Sequence, residues 1–354
     1  APVHRHEIFA WALFDFANSG YTTVVLTAIF NAYFVGVIAQ AYSSGTATLW
    51  WTITTAIANG VVLLTAPIIG AIADDRAWKK RFLMISASGC VGFTALLATA
   101  GPGDVSYAMA LVILASICFF TGENLIAAFL PEIATPDKMG RISAFGWTIG
   151  YLGGLLTLVL CLWVTLNTAA QGAEMADAVP LTLLIVAAMF VVGSLPTFIW
   201  LRERVQPCER TAINYCSIAY QRLHTTWQHA RFHRDLFQFL IALTIYTCGI
   251  NTVIVLAAVY AQEAMGFTTE DNIQLILIVN ISAALGAFVF GQIQDRLGSL
   301  RTLSMTLVIW ICALLLAYFT HDRMMFWVVA NLVGIALGSS QSAGRAIIGL
   351  FSPP

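Results

Sequence analysis

Ten apolar runs, most of 20 residues or more and nearly free of charge, constrain this chain more than any other feature. They cover residues 8–38, 49–73, 82–101, 106–130, 141–167, 179–201, 236–263, 270–294, 302–320 and 324–350. A segment inside lipid must satisfy its backbone N–H and C=O groups internally, and about 20 apolar residues rising 1.5 Å each cover the hydrocarbon core. The runs therefore predict an all-α integral membrane protein with ten spans in the given chain. Its balance agrees: 59% of residues are hydrophobic and 10% charged, whereas a soluble domain carries about 25% charged residues. Run 8–38 is longer than a bilayer needs, which predicts tilt or projection into water.

Charge between the runs is sorted by sign. Alternate loops carry Arg76, Lys79, Lys80, Arg81, Lys138, Arg141, the arginines of segment 202–235, Arg296 and Arg301. The loops on the other side carry Asp104, Glu174, Asp177, Glu270, Asp271 and Asp322, with Arg323 as their one base. Basic loops stay cytoplasmic, so the N-terminus is expected in the cytoplasm. The basic residues are an orientation signal and not a nucleic-acid surface. No Gly-rich phosphate loop with a Lys appears, so no nucleotide is expected. The seven cysteines and six histidines show no metal spacing, so neither metal nor cofactor is expected. No cleavable leader is visible, and a bacterial plasma (inner) membrane is the expected location.

The chain repeats itself. Gly70-Ala-Ile-Ala-Asp74-Asp75-Arg76-Ala77 returns as Gly291-Gln-Ile-Gln-Asp295-Arg296-Leu-Gly298, and basic residues follow each copy. Both copies join apolar runs, as expected for two related bundles. Polar segment 202–235 separates six runs from four, giving expected domains at 1–201 and 236–354 with a cytoplasmic linker between. The copies are offset by 221 residues, from Gly70 to Gly291. The same offset applied after run 4 reaches the end of the given chain. Spans 11 and 12 of a twelve-span design are thus expected to be absent from it, the alternative being a true ten-span protein.

The repeated Gly-x-x-x-Asp-x-x-Gly-x-x-basic pattern resembles the signature of the major facilitator superfamily, with Ala77 in place of the second Gly in the first copy. More narrowly, the chain is similar to the branch of autophagy-related vacuolar amino-acid effluxers and their bacterial relatives. Trp11-Ala-Leu-Phe-Asp15-Phe-Ala-Asn18-Ser19, Gly146-Trp-Thr-Ile-Gly150-Tyr-Leu-Gly153-Gly154, Tyr246-Thr-Cys-Gly249-Ile-Asn-Thr252 and Gly338-Ser-Ser-Gln341-Ser-Ala-Gly-Arg345 carry that similarity. It implies two six-helix bundles, alternating access, a central cavity lined by spans 1, 4, 7 and 10, and export of an amino-acid-like solute. It also assigns Asp74 and Asp295, with the neighbouring bases Arg76, Arg296 and Arg301, to charge networks that gate the transition.

Ionisable groups inside the runs are the functional candidates, since each costs roughly 2.5–3.5 kcal/mol at a helix centre. Asp15 and Glu123 are candidate proton sites, and Arg345 pairs with an acid or clamps a substrate carboxylate. The other reading is a structural ion pair or gate. Asn18 and Thr22 share a helical face with Asp15; Asn124 adjoins Glu123; Tyr246, Thr247 and Asn251 lie on span 7; and Gln341 precedes Arg345 by one turn. These residues either line a polar cavity or bond between helices.

The expected function is secondary active, proton-coupled export of a small polar solute. Its partners are the lipid bilayer, the solute, and a proton or other coupling ion, and the protein is expected to be a monomer and not an enzyme. The alternatives are a drug or lipid exporter of the same superfamily, or an accessory subunit of a membrane complex.

Overall fold

The computed structural model describes residues 3–172, 174–204, 234–320 and 322–351. The expected linker therefore lies, from 205 to 233, outside the described residues. Ten helices are long and apolar enough to cross a bilayer. They are α1 (Arg5–Ile38), α2 (Ser44–Arg76), α3 (Lys79–Leu97), α4 (Val105–Ala127), α5 (Met139–Ala170), α6 (Val179–Trp200), α7 (Arg234–Met265), α8 (Thr269–Leu297), α9 (Ser299–Phe319) and α10 (Arg323–Phe351).

Helix ends follow capping chemistry where the apolar runs left them undefined. Ser43 opens α2 by accepting the Thr46 amide at 3.3 Å. Thr268 and Asp271 form a reciprocal capping box at the start of α8. α1 is not uniformly α-wound. Its Tyr21–Ala28 and Phe34–Ile38 stretches are π turns. Ile29 N–H reaches Val24 O at 2.9 Å, five residues back, and Thr27 Oγ1 donates to Thr22 O over the same interval.

Two compact units emerge. One gathers the described residues of Ala1–Glu132 and Leu152–Ile218, the other those of Ile133–Tyr151 and Ala219–Pro354. The first turns of α5 thus belong with the second unit. In the first unit, α1 is gripped by small residues of α5 and α6. A Cβ on Gly153 would overlap the Phe16 carbonyl, and one on Gly193 would lie 3.0 Å from Ala17 Cβ. Trp11, wholly buried, donates from Nε1 to Ile126 O at 2.8 Å, and Thr197 Oγ1 donates to Ala10 O at 2.6 Å. In the second unit, Gly338 of α10 lies directly on the Ala283 carbonyl of α8. Ser282 Oγ donates to Asn331 Oδ1 at 2.6 Å between the same helices. Polar residues of α7 such as Thr244 and Thr252 are exposed.

The repeat ends its two helices differently. Ala77 closes α2 with φ 52°, in the left-handed region, and Gly298 closes α8 with φ 90° and ψ 154°. A side chain is tolerated at the first position for about 1–2 kcal/mol, whereas the second is a backbone region only glycine occupies freely. Gly298→Ala should therefore cost about 1–3 kcal/mol and lower the melting temperature in detergent by a few degrees. Ala77→Gly should stay near wild type, because relief of strain offsets the entropy of a more flexible unfolded chain. Equal melting shifts for both would contradict this.

Candidate functional site

In the first unit, Asp15 is 8% exposed and Asn18 5% exposed, one turn apart on α1. Ser19 Oγ donates to the Asp15 carbonyl at 2.8 Å, holding the local turn. Asn18 Oδ1 is buried without a hydrogen-bond donor among the described residues. Thr22 is half-buried and begins the π-wound stretch through its carbonyl bond to Thr27. Glu123 is half-buried on α4 and Asn124 beside it is exposed.

The first copy of the repeat sits in a dense charge network. Lys79 Nζ lies 3.0 Å from Glu132 Oε1 and 3.3 Å from Asp74 Oδ1, with only 10% of its side chain exposed. Glu132 also accepts the Arg204 amide at 2.9 Å, and Arg204 Nη2 pairs at 2.8 Å with Glu7, whose side chain is 1% exposed. Glu203 accepts the Lys79 and Lys80 amides at 2.9 and 3.2 Å, and Lys80 Nζ donates to Leu201 O at 2.7 Å. A carboxylate thus meets the first free amides of α3, where the helix dipole favours negative charge. Arg76 and Arg81 lie 5.1 and 5.4 Å from the Trp78 ring centroid.

The second copy uses the same device on another helix. Asp295 Oδ1 accepts the Arg141 amide at 3.2 Å, and the Gly140 amide also donates to the carboxylate, capping α5. Arg296 and Arg301 are exposed.

Farther along α10, Arg345 lies six residues before Phe351, or about 9 Å from the helix end. Its Nη2 donates to Ser143 O at 2.9 Å and its Nε to Ser143 Oγ at 3.3 Å. The guanidinium stands 5.2 Å over the Trp147 ring. One turn on, Tyr151 donates its hydroxyl to Gln341 Oε1. Ser143, Trp147 and Tyr151 recur every fourth residue on α5, and Gln341 and Arg345 do so on α10, so two helical faces meet side chain to side chain. Tyr246 is half-buried among Leu243, Leu307 and Ile347, with its hydroxyl against Gly344, while Thr247 and Asn251 are exposed. The structure thus groups Gln341 with Arg345 and Asp15 with Asn18.

Several residues of these sites escaped the reading of the sequence. Glu7, Glu132 and Glu203 are acids on the basic side of the chain, and that mismatch of sign was the available signal. Ser143, Trp147 and Tyr151 were marked by their four-residue spacing within a Gly-rich span.

A family model described as "Vacuole effluxer Atg22 like" matches residues 3–140 and 137–354. An uncharacterized MFS-type transporter, YxiO of Bacillus subtilis, is 27% identical over 350 residues, covering 97% of this chain and 80% of that protein. Autophagy-related protein 22 of Saccharomyces cerevisiae is 26% identical over 320 residues, covering 75% of this chain and 59% of its own length. Among solved structures, the human organic anion transporter MFSD10 superposes with a TM-score of 0.73 at 14% identity, over 99% of this chain and 86% of that one. The proton:xylose symporter XylE of E. coli does so with 0.69 at 14% identity, over 97% and 81%. The chain is an integral membrane protein with the major facilitator fold.

Proposed function

As the chain belongs to the vacuole effluxer Atg22-like family of the major facilitator superfamily, we propose that it is a proton-coupled secondary transporter exporting a small, amino-acid-like solute by alternating access. The observation that carries this reading is the placement of ionisable groups inside span-length helices. Asp15 is nearly buried in α1, and Arg345 is held on Ser143 and Trp147 within α10. Such groups cost roughly 2.5–3.5 kcal/mol each at a helix centre, a cost that function justifies more readily than packing.

Asp15 and Glu123 are assigned as proton sites, and Arg345 as the anchor for the solute's anionic end. Asn18, Thr22, Asn124, Tyr246, Thr247, Asn251 and Gln341 supply neutral polar groups to the solute path. Proton and solute need not touch each other to be coupled, because each biases the same two-state equilibrium. The capped helix starts at Glu203 and Asp295, together with Asp74 and Arg76, hold one state until those bonds break. The positive-inside rule places the N-terminus in the cytoplasm, in a bacterial inner membrane.

The test is solute-driven proton movement in proteoliposomes, scanned over amino acids, peptides and organic cations. Asp15→Asn or Glu123→Gln should lower proton-coupled flux by about 10²-fold, the low end for a lost proton-transfer group. Transport whose rate and pH dependence survive both substitutions would remove the proton-site assignment. A response to amphipathic cations alone would move the reading to drug or lipid export.

A further inference from the structure

The cluster on α5 and α10 is rich in N–H donors. Trp147 Nε1 is buried and finds no acceptor among the described residues. Indole nitrogen and guanidinium are donor-only groups. Ser143 occupies two N–H groups of Arg345 and leaves the rest of its five-donor fork for other contacts. Tyr151 fills the carbonyl of Gln341, so what that amide offers beyond the pair is N–H. The ring under the guanidinium also fixes its plane and sets the indole N–H beside the fork. A site built this way suits an acceptor with two oxygens and discriminates against a cation.

We propose that Trp147, Tyr151, Gln341 and Arg345 form a carboxylate subsite, in which one carboxylate oxygen takes Arg345 N–H groups and the other takes Trp147 Nε1–H. Tyr151 is a positioning residue that turns the Gln341 amide donors toward the same group. The inference rests on the transport reading and narrows it to solutes that carry a carboxylate, whether amino acids or plain organic acids. An unmet buried donor also explains discrimination, since a solute lacking the carboxylate leaves the indole N–H without an acceptor.

The experiment uses the purified full chain with leucine, its decarboxylated amine isopentylamine and its deaminated acid 4-methylpentanoate, extended to the same triplets for alanine and phenylalanine. Binding is read by thermal shift and titration calorimetry, and transport by counterflow in proteoliposomes. At least one amino acid or acid should bind, and no amine should. Trp147→Phe keeps an aromatic face under the guanidinium and removes only the N–H, so it should weaken carboxylate binding about 10-fold. Tyr151→Phe should weaken it about 3-fold, with KM rising and kcat holding. An unchanged melting temperature shows that each variant folds; if Trp147→Phe does not, Gln341→Leu takes its place with the same expected loss. Equal binding by amines and acids, no carboxylate binding at millimolar concentration, or wild-type affinity in a folded Trp147→Phe overturns the subsite. Binding without counterflow overturns the transport reading and leaves the subsite standing.

Discussion

Gly338→Ala should cost about 3 kcal/mol or more, the upper end of the range for overpacking. The added methyl would fall on the Ala283 carbonyl, a backbone atom within α8 that no rotamer change can move. Relief requires α8 and α10 to separate along their shared face, breaking the close approach that small residues permit in a membrane. Because Gln341 and Arg345 follow at three and seven residues, solute binding should fall together with stability. The readouts are the yield of monodisperse protein and its melting temperature. Gly249→Ala in α7 is the control, since nothing lies within 4 Å of its added methyl. There the ordinary helix preference for Ala over Gly, about 0.5–1 kcal/mol, should appear as neutral or slightly stabilising behaviour. A Gly338→Ala protein as stable as wild type would show that the two helices do not pack as closely as the structure has them.

Lys79→Met should be nearly as damaging, by a different route. Lys79 stands between Glu132 and Asp74, and the side chains of Lys79 and Glu132 are only 10% and 8% exposed. Removing the cation leaves a buried carboxylate without its counter-charge, which costs about 3–5 kcal/mol. Adding Glu132→Gln should restore most of that loss, because the amide keeps an oxygen to accept the Arg204 backbone N–H and needs no counter-ion. A double-mutant cycle on melting free energy reads the coupling. Additive losses, with no rescue, would show that the pair contributes nothing beyond its separate parts.

The membrane fold was legible because hydrophobic length is a local property. Run 8–38 became Arg5–Ile38 and run 302–320 became Ser299–Phe319. The differences lie at the ends, where hydrogen bonding continues past the last apolar residue until a cap stops it. Run 49–73 grew to Ser44–Arg76 because Ser43 opens the helix earlier and left-handed Ala77 closes it later. The π turns of α1 left no trace in hydrophobicity, since they alter winding and not burial. Sites were legible as far as charge inside a span reveals them, hence Asp15, Glu123 and Arg345. Partners were less so. The acceptor role of Asp295 is toward an amide 154 residues away, and the network around Lys79 draws on Glu203, 124 residues off. Spacing identifies neighbours on one helix, whereas these bonds depend on how helices are brought together.

The ion pairs of this chain differ in how far water reaches them. Arg323 and Asp271 meet at 2.5 Å with 52% and 24% of their side chains exposed, whereas the Lys79–Glu132 and Arg204–Glu7 contacts are largely withdrawn from solvent. Mobile salt ions screen exposed charges, over about 8 Å at 0.15 M and 3 Å at 1 M, and act far less on buried pairs. Ionic strength is therefore a selective lever on this molecule. Brine slackens the tie between the starts of α8 and α10 while the knot around Lys79 keeps its grip.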